Sequence, residues 1–270
     1  MHADYGRLYA LLGANPARAP RLTDTYVRCA GCGLVHLAER LEDDLWHAFT
    51  FAQPAPEKHA RDVPLLAAVG AHDAALVRRH AVAGPWLEIG SGYGYTLAAA
   101  RALGVDAHGI DLAPAKLAYA RDRLGVPADA LHLGDPLGLE LPAGGFGAVL
   151  LVHVLEHLTA PVATLRRLAG WLAPGGVALI ATPNLASWKA RRAGAAWGYA
   201  TPFGHLALYE PATLERVLRD AGLRVRARVR RVVGTGRHAG LSPIALAAKR
   251  ALAAVFPSVL SELCVLAERT

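Results

Sequence analysis

Between residues 85 and 182 the chain alternates short apolar runs with amphipathic stretches. Pro85 to Gly90 reads as a strand, Tyr95 to Leu103 as a helix, Ala107 to Asp111 as a strand and Ala113 to Leu124 as a helix. Ala130 to Asp135 and Phe146 to His153 read as two more strands. Pro161 to Leu172 is a helix stopped by Pro174-Gly175-Gly176, and Val177 to Thr182 is a further strand. Upstream, Leu65, Leu66, Val69, Leu76 and Val77 recur at helical spacing across residues 63–83, interrupted by Gly70. Strands alternating with helices through short connections predict a Rossmann-like, doubly wound parallel α/β sheet. The run Ala148-Val149-Leu150-Leu151-Val152 is apolar on both faces, as a sheet covered on both sides requires.

The pattern changes after Thr182. A loop rich in Gly, Trp and other aromatics runs to about Tyr209, followed by a helix from Pro211 to Ala221 with Gly222 as its C-cap. Arg224 to Arg230 alternates strictly, so it reads as a strand with one polar face, and Glu262 to Arg269 reads as a final strand. Residues 1–60, with four prolines and one Cys pair, read as an irregular N-terminal segment. Residues 61–270 then form one α/β domain, in which 183–212 is a loop beside the ligand edge and 234–260 a helical insertion.

With 53% hydrophobic and 19% charged residues, the 270-residue chain can bury a large core. No apolar run is long enough to span a bilayer, and Met1 to Pro20 lacks the pattern of a secretory signal. Three cysteines suit a reducing compartment, so the expected location is cytoplasmic. The net charge of +7 is concentrated at Lys189-Ala190-Arg191-Arg192 and at Arg224 to Arg231. Such clusters fit either solvated arginine or a polyanion site.

Candidate chemistry begins at Leu87-Glu88-Ile89-Gly90-Ser91-Gly92-Tyr93-Gly94, where the first strand turns into the first helix of the alternation. Glycines there allow a sharp turn and close approach of a ligand to the main chain. The spacing is G-x-G-x-G; Tyr95 stands where a dinucleotide motif would place its last glycine. Glu88 would repel a pyrophosphate but tolerates a ligand carrying an ammonium and a sulfonium. Asp111 closes the next strand, where an acid accepts ribose hydroxyls, and Asp135 closes the third, placed to meet an adenine amine.

This order resembles the class I methyltransferases that use S-adenosylmethionine (SAM). More narrowly it is similar to the small-molecule group that includes the ubiquinone-biosynthesis O-methyltransferases. The resemblance is carried by Leu87 to Gly94, Gly109 to Leu112, Gly134-Asp135, Val152 to Leu158, Leu172 to Gly176, Thr182-Pro183-Asn184 and Gly204 to Tyr209, and it covers about residues 63–232. It implies a seven-stranded sheet, mostly parallel, with an antiparallel C-terminal hairpin. It further implies that Glu88 and the turn Gly90, Ser91, Gly92, Tyr93, Gly94 hold the methionine part of SAM. Asp111 with Leu112 would hold the ribose, Asp135 with Pro136 the adenine side, and His153 would border the cofactor.

Methyl transfer needs alignment and exclusion of water, and an acceptor hydroxyl or amine needs a base. His153, Glu156 and His157 leave the fourth strand of the alternation at the ligand edge, and His205 follows the fifth. Related quinone O-methyltransferases carry E-x-x-E-H here and bind a divalent metal with it; this chain has H-x-x-E-H. Three readings stay open: a capped turn, a metal-free histidine base, or a divalent site better suited to a transition metal than to magnesium. Trp188, Trp197, Tyr199 and Phe203 are expected to cover the acceptor.

Cys29-Ala30-Gly31-Cys32-Gly33 is half of a zinc ribbon, with His36 as a conceivable third ligand and no second Cys pair upstream. The expectation is a degenerate knuckle without metal. The apolar stretch Ser242 to Leu260, split by Lys249-Arg250, is compatible with a helix packed on the domain or with peripheral membrane contact. The expected activity is SAM-dependent methylation of a small-molecule acceptor, on oxygen in the first instance. Weighed against it are a non-catalytic SAM-binding module, a nucleic-acid methyltransferase, disfavoured because His153-Val154-Leu155-Glu156 stands where base-amine methylases carry an N-P-P-Y-like run, and a dinucleotide oxidoreductase, disfavoured by the glycine spacing.

Overall fold

A computed structural model describes residues 25–38, 62–201, 204–231 and 261–270. Phe203, most of the N-terminal segment and the expected insertion at 234–260, including the stretch Ser242 to Leu260, lie outside the described residues.

Seven strands form the main sheet: β3 (Trp86–Ile89), β4 (Ala107–Asp111), β5 (Leu131–Leu133), β6 (Phe146–Val152), β7 (Leu172–Pro183), β9 (Leu223–Arg228) and β10 (Glu262–Arg269). Their order is β5-β4-β3-β6-β7-β10-β9. β3 to β7 run parallel, and β10 inserts antiparallel between β7 and β9. The seven-stranded sheet expected from the resemblance is therefore present, with its antiparallel hairpin.

Helices cover both faces. α1 (Val63–Arg78), α2 (Tyr95–Ala102) and α3 (Pro114–Leu124) lie on one, where Ala74, Val77, Leu97, Ala100 and Ala120 pack with Trp86, Leu150 and Leu179. α4 (Pro161–Trp171) and α6 (Pro211–Asp220) lie on the other, where Leu165, Leu168, Trp171, Leu214 and Leu218 meet Leu87, Ile89, Val149 and Ile180; α5 (Trp188–Ala193) is a short helix in the segment after β7. Neighbouring residues of a strand enter opposite cores, which explains the near-continuous apolar runs. Burying a side chain such as Leu150 contributes about 1.5–3 kcal/mol.

Two local readings are corrected. Gly70 does not interrupt α1. A Cβ there would lie 2.6 Å from the Tyr95 backbone, so the glycine lets α1 and the start of α2 touch. The third strand of the alternation is only Leu131–Leu133, because a 3-10 turn at Ala128–Ala130 uses up its predicted start.

The N-terminal segment is not wholly irregular. β1 (Tyr26–Arg28) and β2 (Val35–Leu37) form a hairpin around the Cys pair, and β2 pairs with β8 (Ala207–Leu208) in a second, three-stranded sheet. An ion pair from Arg28 to Glu210 at 3.0 Å ties the hairpin to the cap of α6. The arginines of β9 are drawn into local pairs: Arg224 with Glu268, Arg226 more distantly with Glu268, and Arg228 with Glu215.

Candidate active site

In a doubly wound sheet a crevice opens where neighbouring strands send their connections to opposite faces. Here that point lies between β3 and β6, and a cleft of about 380 Å³ occupies it. Ile89, Gly90 and Gly92 line it from the first turn, Asp111, Leu112 and Lys116 from the second, Gly134, Asp135, Pro136 and Leu137 from the third. His153, Val154, His157 and Leu158 come from the turn after β6, and Thr159, Ala160 and Thr164 from the start of α4. Of the expected cofactor residues, Gly90, Gly92, Asp111, Leu112, Asp135, Pro136 and His153 thus share one cleft.

Glu88, Ser91, Tyr93 and Gly94 do not line it. Glu88 points to the α1–α2 side, where Thr96 hydrogen-bonds it and its Oε2 has no partner. Burial pushes its carboxyl up to about 8, helped by the nearby charges of Asp73 and Asp111. Ser91 is buried with a hydroxyl that has no protein partner, and the Tyr93 ring sits edge-on to Tyr119.

The glycines of the turn divide their tasks. A Cβ on Gly90 would strike Val154, and one on Gly94 would lie 2.7 Å from the Cβ of Ala120, so Gly94 serves contact with α3. A Cβ on Gly92 would meet nothing within 4 Å. Its φ is +54°, and its N–H donates to Asp111 at 2.7 Å. The other Asp111 oxygen accepts the Ala113 N–H at 2.8 Å, so the carboxylate pins two turns together at the cleft wall.

On the far side, His153 has a φ of +53°, the sole positive value at a non-glycine residue among the described residues. Such a backbone is rare and marks a held position. Its two ring nitrogens donate to different carboxylates: Nδ1 to Glu156 at 3.3 Å and Nε2 to Glu262 at 2.6 Å. Burial alone would depress the imidazole, but the two carboxylates outweigh it and raise it to about 9. The two carboxylates thus favour the charged ring, and both of its nitrogens are engaged within the protein.

Glu156 is fully buried. Burial pushes its carboxyl up, yet the bond and charge of His153 bring it below the usual range, and the Thr182 hydroxyl donates to it at 2.9 Å. His157 and His205 are held below the ordinary histidine value, chiefly by burial, and so are neutral. His157 Nδ1 donates to the Gly204 carbonyl, and His205 Nδ1 donates to the Tyr199 carbonyl at 2.6 Å. These bonds fix both tautomers and leave each Nε2 with a free lone pair. One donor atom from each of Glu156, His157 and His205 lies within 4.8 Å of the others, a group that could hold a cation. Neither Cys29 nor Cys32 joins such a group among the described residues, and His36 Nδ1 instead faces the Leu37 carbonyl at 2.8 Å.

Of the aromatic residues expected over this side, Tyr199 lies parallel to both His153 and His205, at centroid distances of 6.3 and 5.8 Å. Trp197 is buried behind it with Ala190 and Leu208, and Trp188 is 60% exposed with Arg192 over its ring. Three contributors escaped the sequence reading. Tyr26 of the N-terminal hairpin donates to the His205 carbonyl at 2.7 Å; Lys116 lines the cleft; and Glu262 bonds His153 from the last strand.

The chain is similar to known proteins in both sequence and fold. A methyltransferase domain model matches residues 36–228. Ubiquinone biosynthesis O-methyltransferases are similar over part of the chain: one from Xanthomonas campestris is 35% identical over 102 residues, 36% of this chain and 42% of that protein. One from Xanthomonas axonopodis is 33% identical over 149 residues, 52% and 62% respectively. The chain thus aligns with about two fifths to three fifths of the length of these curated relatives. Among solved structures, the Burkholderia thailandensis 1,6-didemethyltoxoflavin-N1-methyltransferase, with bound 1,6-didemethyltoxoflavin and S-adenosylhomocysteine (SAH), superposes with a TM-score of 0.57 at 17% identity, covering 90% of this chain and 98% of that one. A glycopeptide N-methyltransferase complexed with SAM does so with a TM-score of 0.51 at 20% identity, covering 74% and 87%. The family model takes in most of the sheet and the whole cleft, and on that match the chain belongs to the methyltransferase domain family.

Proposed function

We propose that this protein transfers a methyl group from SAM to a hydroxyl of a small-molecule acceptor. The observation that carries the reading is the division of one cleft into two chemical halves. On one side lie the open backbone at Gly92, the Asp111 carboxylate and Asp135, suited to amino-acid, ribose and adenine groups. On the other lie two neutral histidines with fixed tautomers beside an ionised, buried Glu156. SAM supplies the electrophilic methyl group when bound. The protein aligns the acceptor and excludes water, and a neutral imidazole at His157 or His205 takes the hydroxyl proton.

The similarity to ubiquinone biosynthesis O-methyltransferases favours oxygen as the atom methylated. The spacing of Glu156, His157 and His205 supports a second form of the same chemistry, in which these three residues hold a divalent cation that acidifies the acceptor hydroxyl. A nucleic-acid substrate is disfavoured, since three of the β9 arginines are engaged with Glu215 and Glu268. No helix among the described residues is long and apolar enough to cross a membrane.

The test is incubation with labelled SAM and a panel of phenolic, aliphatic-hydroxyl and amine compounds, with products identified by mass. Acceptors that gain one methyl group on a hydroxyl support the reading. Tight SAM binding without transfer to any acceptor class favours a non-catalytic module.

A further inference from the structure

The two clusters of positive charge, Lys189 to Arg192 and Arg224 to Arg231, lie far apart in the chain, yet the fold brings members of both to one place. A second cavity, of about 350 Å³, has Arg191 of α5 and Arg228 and Arg230 at the end of β9 in its wall. Its size falls within the range of about 300–1,000 Å³ typical of small-molecule sites. It lies at the same edge of the sheet as the first cleft. β7 ends there at Pro183, opposite Glu262 at the start of antiparallel β10, and β9 ends at Arg228, opposite Val265. The two spaces share a wall. Glu262 lines the second and bonds His153, which lines the first, at 2.6 Å.

Much of the second wall is apolar, with Leu214 of α6 and Leu263 and Val265 of β10. Its carboxylates are already answered. Glu215 pairs with Arg228, and Glu262 accepts from His153 and from Arg231, which also bonds Asp73 at 2.7 Å. Arg191, by contrast, has no carboxylate partner among the described residues. Its helix is held in place all the same. Ser187 caps α5 by accepting the Ala190 N–H at 3.2 Å, and Ala190 is buried with Trp197 and Leu208. A guanidinium at the rim of such a cavity offers paired donors to a carboxylate or a phosphate. The apolar wall favours a ligand with a carbon body, which a bare polyphosphate backbone lacks.

We propose that this cavity is a second ligand site, separate from the first cleft, that takes a small organic acid. The acidic group meets Arg191, with Arg230 beside it, and the apolar body lies along Leu214, Leu263 and Val265. The site is independent of what fills the first cleft.

Calorimetry at about pH 7 with octanoate, octyl phosphate, octanol and octylamine tests the site. At least one of the two acids should bind about tenfold or more tightly than octanol, and the cationic octylamine should bind no better than octanol. Arg191→Gln should weaken the better acid by about tenfold or more, toward the octanol value. The exposed side chain makes an unchanged melting temperature the expectation for that variant. Saturating SAH should leave binding of the acid in place. Displacement by SAH would put the acid in the first cleft and overturn the proposal. So would octanol binding as tightly as both acids, no measurable binding of either acid, or a folded Arg191→Gln protein with wild-type affinity for them.

Discussion

His153 and Glu262, 109 residues apart, meet at 2.6 Å and join the turn after β6 to the start of β10. The contact makes a pH-dependent bolt. The imidazole is raised to about 9 by Glu156 and Glu262, against about 6.5 in the unfolded chain. A raised histidine contributes stability that is fully present below 6.5 and is lost as pH rises through 9. Denaturant midpoints should therefore fall across that window. His153→Asn, which tolerates the positive φ, should flatten the decline above pH 8. An identical slope in the variant would show that the bond adds nothing.

Glu88 acts in the same direction over a lower range. Its folded-state carboxyl is raised to about 8, so between the ordinary glutamate value and 8 the folded chain keeps a proton that the unfolded chain has released. Stability then falls as pH rises through that range, with the full cost present above 8. Glu88→Gln should leave the melting temperature nearly unchanged at about pH 4 and stabilise the ligand-free protein by about 2 kcal/mol at about pH 9. A variant less stable than wild type at both pH values would mean that the charge is compensated.

The alternation of strands and helices was legible because a doubly wound sheet writes its two faces into each apolar run, as at Ala148 to Val152. Asp111, Asp135 and the glycines were legible because turns at strand ends need particular residues. What escaped depends on contacts far apart in sequence. Nothing near Glu262 or Arg231 in the chain announces a partner at His153 or Asp73. Tyr26 reaches His205 only because the N-terminal hairpin pairs with β8, a strand of two residues with no periodic signature. Gly70 misled for the same reason: its neighbour is Tyr95, across a helix contact.

The turn glycines should separate binding from folding. Gly92→Val places its side chain where nothing lies within 4 Å, on the cleft surface, at a backbone cost of about 1–2 kcal/mol for the positive φ. It should fold and lose at least about tenfold in SAM affinity, through filled space and a strained turn. Gly94→Val drives its Cβ against Ala120 and should destabilise by about 3 kcal/mol or more. Thermal melts and calorimetry on both variants distinguish the two. A folded Gly92→Val protein with wild-type affinity would move the ligand elsewhere.

The Cys29–Cys32 turn should hold no tightly bound zinc. The two thiols sit at the tip of the β1–β2 hairpin, with His36 turned to a backbone carbonyl. Cys29→Ser should leave the metal content of protein purified without chelator unchanged. Loss of one equivalent of zinc in that variant would reverse the conclusion.

The acceptor-side cluster offers the sharpest separation of mechanisms. If His157 is the base, His157→Ala should lower turnover by about 10²–10⁴-fold with SAM affinity changed by less than about threefold. Its Nδ1–H is fixed by the Gly204 carbonyl, so the proton acceptor is Nε2. Because burial lowers this imidazole, activity should rise with pH through a midpoint below the ordinary histidine value and then level off. His205→Ala should be milder in the metal-free mechanism, since that residue adds a second neutral imidazole but is not needed for one proton transfer. In the cation-assisted form both variants lose turnover together, because each removes one donor of the Glu156, His157 and His205 group. Chelator then abolishes activity, and a transition metal restores it better than magnesium. Wild-type turnover in both variants, with no effect of chelator, would make the cluster a structural clamp between the turn after β6 and the segment at Gly204 to Leu206.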